Sequence, residues 1–355
     1  MKFLFIVQGE GRGHLTQAMT MERMLRDHGH EVGGILVGKS AARRLPAFFS
    51  EGVCAPVATF ETFDFMPAPK GKRPDIFRTF FGNLKVSNKF APSVELIRRT
   101  IRSSGADAVV NFYELLGTMG WHRSGRHVPM AVIGHQFLLT HKDFGAPVIG
   151  FEGKPALDLF SNAIAKGASK ILALSFRPME PCRKMVVVPP LLRPEVMALE
   201  PRKGDYILGY MLNAGFAEEV RSWHAAHPEV PLRFFWDDPT HGPVYNVDET
   251  LSFYYLDDKE FLRQMAGCGA YASTAGFESI CEAMYLGKPL LMVPSHIEQR
   301  CNAFDATRFG AAVSAEKFDL SKLLDFARNG YTPEPGFREW VRSGEEKILR
   351  ELESL

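Results

Sequence analysis

Hydrophobic positions in this chain fall into short continuous runs, separated by segments with helical spacing. The first half contains Lys2–Val7 (KFLFIV), Gly34–Val37, Asp107–Phe112 (DAVVNF), Met130–Ile133, Lys170–Ser175 (KILALS) and Met185–Val188. Such runs do not alternate, so they predict strands buried on both faces, as in a parallel sheet. Between the first two, Ala18, Met21, Met24 and Leu25 carry the apolar stripe of a helix over Thr16–His28, closed by Gly29. Strand, glycine loop, helix and strand make a βαβ unit.

The second half repeats the grammar. A strand over Tyr206–Leu212 leads through the Asn213-Ala214-Gly215 loop into a helix from Phe216 to about His227. Strands Leu232–Trp236 and Leu251–Leu256 follow, separated by a Pro/Gly-rich loop through Gly242. Asp257 or Asp258 caps a short helix containing Phe261, Leu262 and Met265. From Tyr271 the pattern gives a strand end, the small-residue turn Ser273-Thr274-Ala275-Gly276, and a helix with Phe277, Ile280, Cys281 and Met284 on one face. Gly287-Lys288-Pro289 ends that helix, Leu290–Val293 is another buried strand, and a second helix starts before Ala303. The tail from Phe337 to Leu355 reads as one charged amphipathic helix, long enough to pack back on the first domain.

The fold class is therefore α/β, with two Rossmann-like parallel-sheet domains. The expected boundaries are 1–190 for the first domain, 191–204 for a linker rich in Pro and polar residues, 205–331 for the second domain and 332–355 for the returning helix.

Composition narrows the classes. The chain has 355 residues, 46% hydrophobic, with a net charge of +1, so overall charge gives no reason to expect nucleic-acid binding. Its five cysteines show no metal-type spacing and read as reduced thiols of a cytoplasmic protein. The N-terminal apolar run is too short for a secretory signal. No run approaches the ~18 residues that span a bilayer. One segment is locally basic: Lys70, Lys72, Arg73, Arg78, Lys85, Lys89, Arg98, Arg99 and Arg102 interleave with Phe77, Phe80, Phe81 and Phe90. It is a candidate for peripheral contact with anionic lipid or a lipid-linked partner, or else a loop and helix with charges in water.

Candidate chemistry sits at predicted strand ends, where ligands bind open α/β sheets. The loop Gln8-Gly9-Glu10-Gly11-Arg12-Gly13-His14 follows the first strand. It fails the dinucleotide fingerprint, because His14 stands where the third glycine belongs and no acidic residue ends the second strand. An imidazole at this position suits a general base, kept neutral by the helix N-terminus. Asn111 and Glu114 end one strand and His135 and Gln136 another, so all four are candidates to face the same ligand edge, the latter two as acceptor contacts. In the second half, a helix N-terminus after Gly276 suits a phosphate. Glu282 lies six residues further, roughly 9 Å along the axis at ~1.5 Å per residue, the distance from a pyrophosphate to ribose hydroxyls.

The Gly13-His14 loop and the Gly276–Gln299 constellation, on two such domains, resemble the GT-B glycosyltransferases. The pattern is most similar to the MurG-like and UDP-glycosyltransferase-like families. The resemblance implies His14 as base or diphosphate neighbour. It implies Gly215, Ser273, Thr274, Gly276 and Ser279 near the diphosphate, Glu282 on the ribose, Glu298 and Gln299 on sugar hydroxyls, and Leu256 near the base. It also implies that the two halves of the site meet across an interdomain cleft. Asn111 stands where many relatives have an aspartate that pairs with the catalytic histidine, and Glu114 is the candidate substitute. Glu278 replaces a neutral residue of the donor motif. The implied activity is inverting, metal-independent transfer of a sugar from a UDP-sugar co-substrate to a hydroxyl acceptor, lipid-linked acceptors included, with no tightly bound cofactor. A role in envelope, glycolipid or polysaccharide synthesis at the inner membrane face follows. A UDP-sugar 2-epimerase and a non-catalytic nucleotide-sugar-binding protein remain as alternatives.

Overall fold

The computed structural model describes residues 1–41, 44–63, 87–125, 128–147, 150–211, 214–329 and 331–355. The chain divides into two compact units. One contains the described residues up to Arg193 together with Glu339–Leu355, and the other contains Pro194–Arg338.

The first unit is built on seven strands: β1 Lys2–Gln8, β2 Glu31–Lys39, β3 Val57–Glu61, β4 Ala108–Phe112, β5 Met130–Gly134, β6 Lys170–Leu174 and β7 Met185–Val188. Their order is β3-β2-β1-β4-β5-β6-β7, and every pairing is parallel. Phe3, Phe5, Ile6 and Val7 are fully buried, as are Val109, Val110 and Phe112. This explains their unbroken apolar sequence, since helices cover both faces of such a sheet. Strand order reverses between β1 and β4. That places the carboxyl ends of these two strands at the topological switch point.

The second unit has strands β8 Ile207–Tyr210, β9 Leu232–Trp236, β10 Val244–Asn246, β11 Leu251–Tyr255, β12 Ala270–Ser273, β13 Leu290–Met292 and β14 Ala312–Ser314. Their order is β10-β11-β9-β8-β12-β13-β14. Only β10 runs antiparallel among them, as a short edge strand beside β11. The sequence pattern assigned no strand between the loop ending at Gly242 and Leu251, and these three mostly exposed residues are too short a run to signal one. Here the reversal lies between β8 and β12, so the turn after Ser273 again occupies the switch point. Asp257 is the cap of the next helix, its carboxylate accepting from the Glu260 amide at 2.8 Å.

The C-terminal segment forms two helices, Phe337–Arg342 and Gly344–Glu353, instead of one. The Ser343 hydroxyl donates to the Trp340 carbonyl at 2.8 Å, competing with helix continuation. A Cβ on Gly344 would stand 3.2 Å from Pro189, so the chain passes closely there. The Trp340 indole donates to the Ser175 carbonyl at 2.9 Å, and Glu351 pairs with Lys170. The tail thus closes the first unit by packing beside β6 and β7.

Residues 70–86 of the basic and aromatic segment, like Asn213, lie outside the described residues. In its described part, Phe90 is buried and Lys89 pairs with Glu61. Glu95 binds both Arg98 at 2.6 Å and Arg99 at 2.7 Å. These charges are partnered within the fold.

Candidate active site

The helix after β1 begins at Arg12, four residues earlier than the apolar stripe predicted, with Gly11 as its N-cap. First-turn amides need no partner inside the helix, so glycine is tolerated there. The turn before it is tight. Gly9 donates its amide to the Gly38 carbonyl at 2.7 Å, and a Cβ on Gly9 would meet that same oxygen at 2.7 Å. Gly13 and His14 are therefore helical residues, held at the carboxyl end of β1.

His14 is enclosed on three sides. Its Nδ1 lies 3.1 Å from the Gln17 Oε1, and its Nε2 lies 3.2 Å from the Gln136 Nε2. Its ring stacks on Tyr113 at 5.7 Å between centroids, with the planes 21° apart. Burial lowers the imidazole pKa to about 4, opposed by the Gln17 hydrogen bond. The ring is neutral at physiological pH, and desolvation is the main cause. Tyr113 has φ +58, a left-handed conformation unusual for a bulky residue. It is held there by its hydroxyl, 2.7 Å from Ser161 Oγ, and by edge contacts with Phe137 and Phe160.

The hydrogen bonds of Asn111 and Glu114 among the described residues go to groups other than His14. The Asn111 Nδ2 donates to the Glu114 carbonyl at 2.9 Å and to Thr118 Oγ1 at 3.1 Å, and its Oδ1 accepts from the Glu114 amide at 2.8 Å. Both groups of its amide are thus engaged in its own loop. Glu114 is 1% exposed. Its Oε1 accepts from Thr62 Oγ1 at 2.8 Å and from the Leu116 amide at 3.0 Å. Its Oε2 packs where a Cβ on Gly38 would be, 2.6 Å away. Burial pushes its carboxyl up to about 7, against the Leu116 and Thr62 bonds, with Glu10 adding to the rise.

The β5 end splits the other pair. His135 is 1% exposed, and its Nδ1 donates to the Leu174 carbonyl of neighbouring β6 at 2.8 Å. Through this bond it ties two strand ends together. Gln136 reaches His14 and belongs with it.

In the second unit, the turn after β12 is also strained. Ala275 has φ +60. Ser273 Oγ accepts from the Ala275 amide at 3.2 Å, and Asn302 Nδ2 donates to the Ala275 carbonyl at 3.0 Å. Thr274 Oγ1 is buried without a hydrogen-bond partner among the described residues. Gly276 is the N-cap of the Phe277–Tyr285 helix, with no side-chain cap, and Ser279 Oγ donates to its carbonyl at 3.2 Å. Uncapped amides beside an unpartnered hydroxyl suit an oxyanion. Glu282 is 4% exposed on this helix, whereas Glu278 is half-buried in its first turn. Gly215 lies in a short turn before the Ala217–Ala226 helix, and Leu256 follows β11.

Glu298 stands in the first turn of the Ile297–Arg308 helix. Gln299 is folded back, its Oε1 accepting from the Ser295 amide at 2.8 Å and from Ser295 Oγ at 2.7 Å. This leaves its NH2 as the group that can donate outward. His296, the N-cap of the same helix, carries a buried Nδ1 without a hydrogen-bond partner among the described residues, and burial lowers its pKa to about 4. Sequence reasoning passed over it, because a lone histidine after a strand carries no spacing signal.

A model of glycosyl transferase family 1 matches residues 1–329. The chain belongs to this family. This glycosyltransferase is 23% identical over 360 residues to a Parabacteroides distasonis enzyme, with 91% of this chain and 88% of that protein covered. That relative is UDP-N-acetylglucosamine--N-acetylmuramyl-(pentapeptide) pyrophosphoryl-undecaprenol N-acetylglucosamine transferase. Solved structures share its GT-B fold at low identity. The glycotransferase of kitacinnamycin superposes with TM-score 0.66 at 13% identity, covering 99% of this chain and 98% of the other. Phytolacca americana UGT2, complexed with UDP-2fluoro-glucose and pterostilbene, gives 0.66 at 13%, covering 99% of each. Spinosyn rhamnosyltransferase SpnG with thymidine diphosphate gives 0.59 at 14%, covering 99% of this chain and all of that one.

Among the glycosyltransferase's described residues, no group of three or more His, Cys, Asp or Glu could hold a metal ion. No helix among them is long and apolar enough to cross a membrane.

Proposed function

We propose that this glycosyltransferase moves a sugar from a UDP-sugar to an acceptor hydroxyl with inversion, using His14 as base and no metal. The observation that carries the reading is the neutral imidazole of His14 at the β1–β4 switch point. His14 Nε2 takes the proton of the acceptor hydroxyl as that oxygen bonds to the anomeric carbon. The bond from the anomeric carbon to the diphosphate oxygen breaks, and its electron pair leaves with the nucleoside diphosphate. One displacement inverts the anomeric centre. The amides at Gly276 and at the Gly215 turn, with Thr274 Oγ1, stabilise the departing charge. Glu282 accepts the ribose hydroxyls, and Glu298 and the Gln299 NH2 meet the sugar.

UDP is favoured because the curated relative uses UDP-N-acetylglucosamine and one structural neighbour was solved with a UDP sugar. The relative's undecaprenol-linked acceptor supports a lipid-linked acceptor here, and with it envelope synthesis at the cytoplasmic face.

Calorimetric titration with UDP and dTDP, followed by donor turnover with and without envelope lipid extract, tests the proposal. UDP binding, with turnover that needs both extract and His14, is the expected result. Absence of binding by either nucleotide at millimolar concentration overturns it. So does His14→Ala transferring at the wild-type rate. Epimer release without an acceptor would assign the fold a different reaction.

A further inference from the structure

We infer that Gln17 and Gln136 are positioning residues that fix His14 as the Nδ1–H tautomer, leaving its basic lone pair on Nε2 under an exchangeable amide. The inference rests on the reading of His14 as base and extends it to the residues that make the base usable.

With the two side-chain amides oriented as they are, one tautomer is consistent. An amide oxygen can only accept, so the Gln17 Oε1 at 3.1 Å requires a proton on Nδ1. A neutral imidazole carries a single N–H proton, so Nε2 holds the lone pair. The Gln136 Nε2 at 3.2 Å then donates to it. Tyr113 covers the ring face, and its hydroxyl lies 2.7 Å from Ser161 Oγ. Gln17 stands one helical turn after His14, on the same face of the Arg12–Asp27 helix, so its reach is set by the backbone. Gln17 is buried, which limits its alternative rotamers.

Two consequences follow. A carboxylate beside Nδ1 would stabilise the imidazolium formed after proton removal, whereas the Gln17 amide supplies only a dipole. The device here therefore works by tautomer choice more than by charge. The Gln136 amide occupies the position that an acceptor hydroxyl needs. An arriving hydroxyl displaces it, donates to Nε2, and can accept the released Gln136 N–H on its own oxygen. Gln136 thereby selects for an acceptor oxygen that both gives and takes a hydrogen bond.

The test is nitrogen-15 NMR of the full chain labelled at histidine, with His14 assigned from the His14→Asn spectrum. At neutral pH the His14 pattern is expected to show Nδ1 protonated and Nε2 bare. Gln17→Leu is expected to move the population toward Nε2–H and to lower kcat by about ten- to a hundredfold, with donor affinity unchanged. Gln17→Glu preserves the hydrogen bond and is expected to raise the His14 pKa, shifting the acidic limb of the rate profile upward. An Nε2–H pattern in the wild type overturns the inference, as does an unchanged tautomer in a folded Gln17→Leu. If Gln17→Leu fails to fold, the wild-type spectrum and Gln17→Glu still decide it. The NMR result is independent of turnover, so failure of the transfer assay removes the proposed function without removing the clamp.

Discussion

Asn302 donates its side-chain amide to the carbonyl of Ala275, holding a buried non-glycine residue at φ +60. The left-handed conformation costs an alanine about 1–2 kcal/mol, so the turn before Gly276 needs an external tie. Asn302→Ala is expected to destabilise the protein by about 1–3 kcal/mol, because a buried carbonyl loses its partner. The donor KM should rise as the turn relaxes. Urea unfolding and donor kinetics check both, and an unchanged KM would show that this tie does not shape the donor site.

Glu282 provides a second measurement. Loss of a charged acceptor for ribose hydroxyls weakens binding by about 1.5–3 kcal/mol. Glu282→Ala should therefore raise the UDP Kd by roughly ten- to a hundredfold, while the Kd for inorganic pyrophosphate stays put. Calorimetry with the two ligands separates ribose recognition from a general loss of fold.

Glu114 predicts the pH dependence of stability. Its folded pKa is raised to about 7 by burial, above the ordinary carboxylate value of about 4.3. Between these values the folded state binds more protons than the unfolded one, so this contribution to stability declines as pH rises from about 4.3 to 7. The full effect is on the order of 3 kcal/mol. His14, lowered to about 4, has the opposite sign over about 4 to 6.5, and its contribution rises with pH there. Comparing wild type with Glu114→Gln cancels the histidine. The variant is expected to gain relative stability as pH is raised from 5 to about 8. Equal slopes in urea titrations would contradict the assignment.

Lys288 is buried, and its ammonium donates to the carbonyls of Arg202, Ala266 and Cys268 at 2.6, 2.8 and 2.7 Å. Lys288→Met would leave three acceptors without their donor. A loss of at least about 3 kcal/mol is expected in thermal or urea unfolding. Gly287-Lys288-Pro289 thus does more than end a helix.

The strands buried on both faces were legible, whereas β3, β10 and β14, short and partly exposed, left no run in the sequence. Leu232–Trp236 and Met185–Val188 have the same limits in sequence pattern and structure. The helix start at Arg12 was hidden, since glycines in a first turn look like loop. Asn111, Glu114 and His135 sit at strand ends, as the pattern indicated. Period and position alone do not say whether a polar side chain turns outward or back. Asn111 turns into its own loop and His135 reaches across to Leu174. Gln17 left a trace, three residues after His14, but any polar helix residue has that spacing. Its meaning depends on Gln136, 122 positions from His14, which only the fold brings near.

The Trp340–Ser175 and Glu351–Lys170 contacts make the first unit discontinuous in sequence. During synthesis Pro194–Arg338 leaves the ribosome before Glu339–Leu355, so the later unit can complete its core while the earlier one still waits for its last segment. A ribosome stalled before Glu339 would hold a nascent chain whose unfinished part is its oldest, and a chaperone recruited there would find exposed apolar surface near β6 and β7.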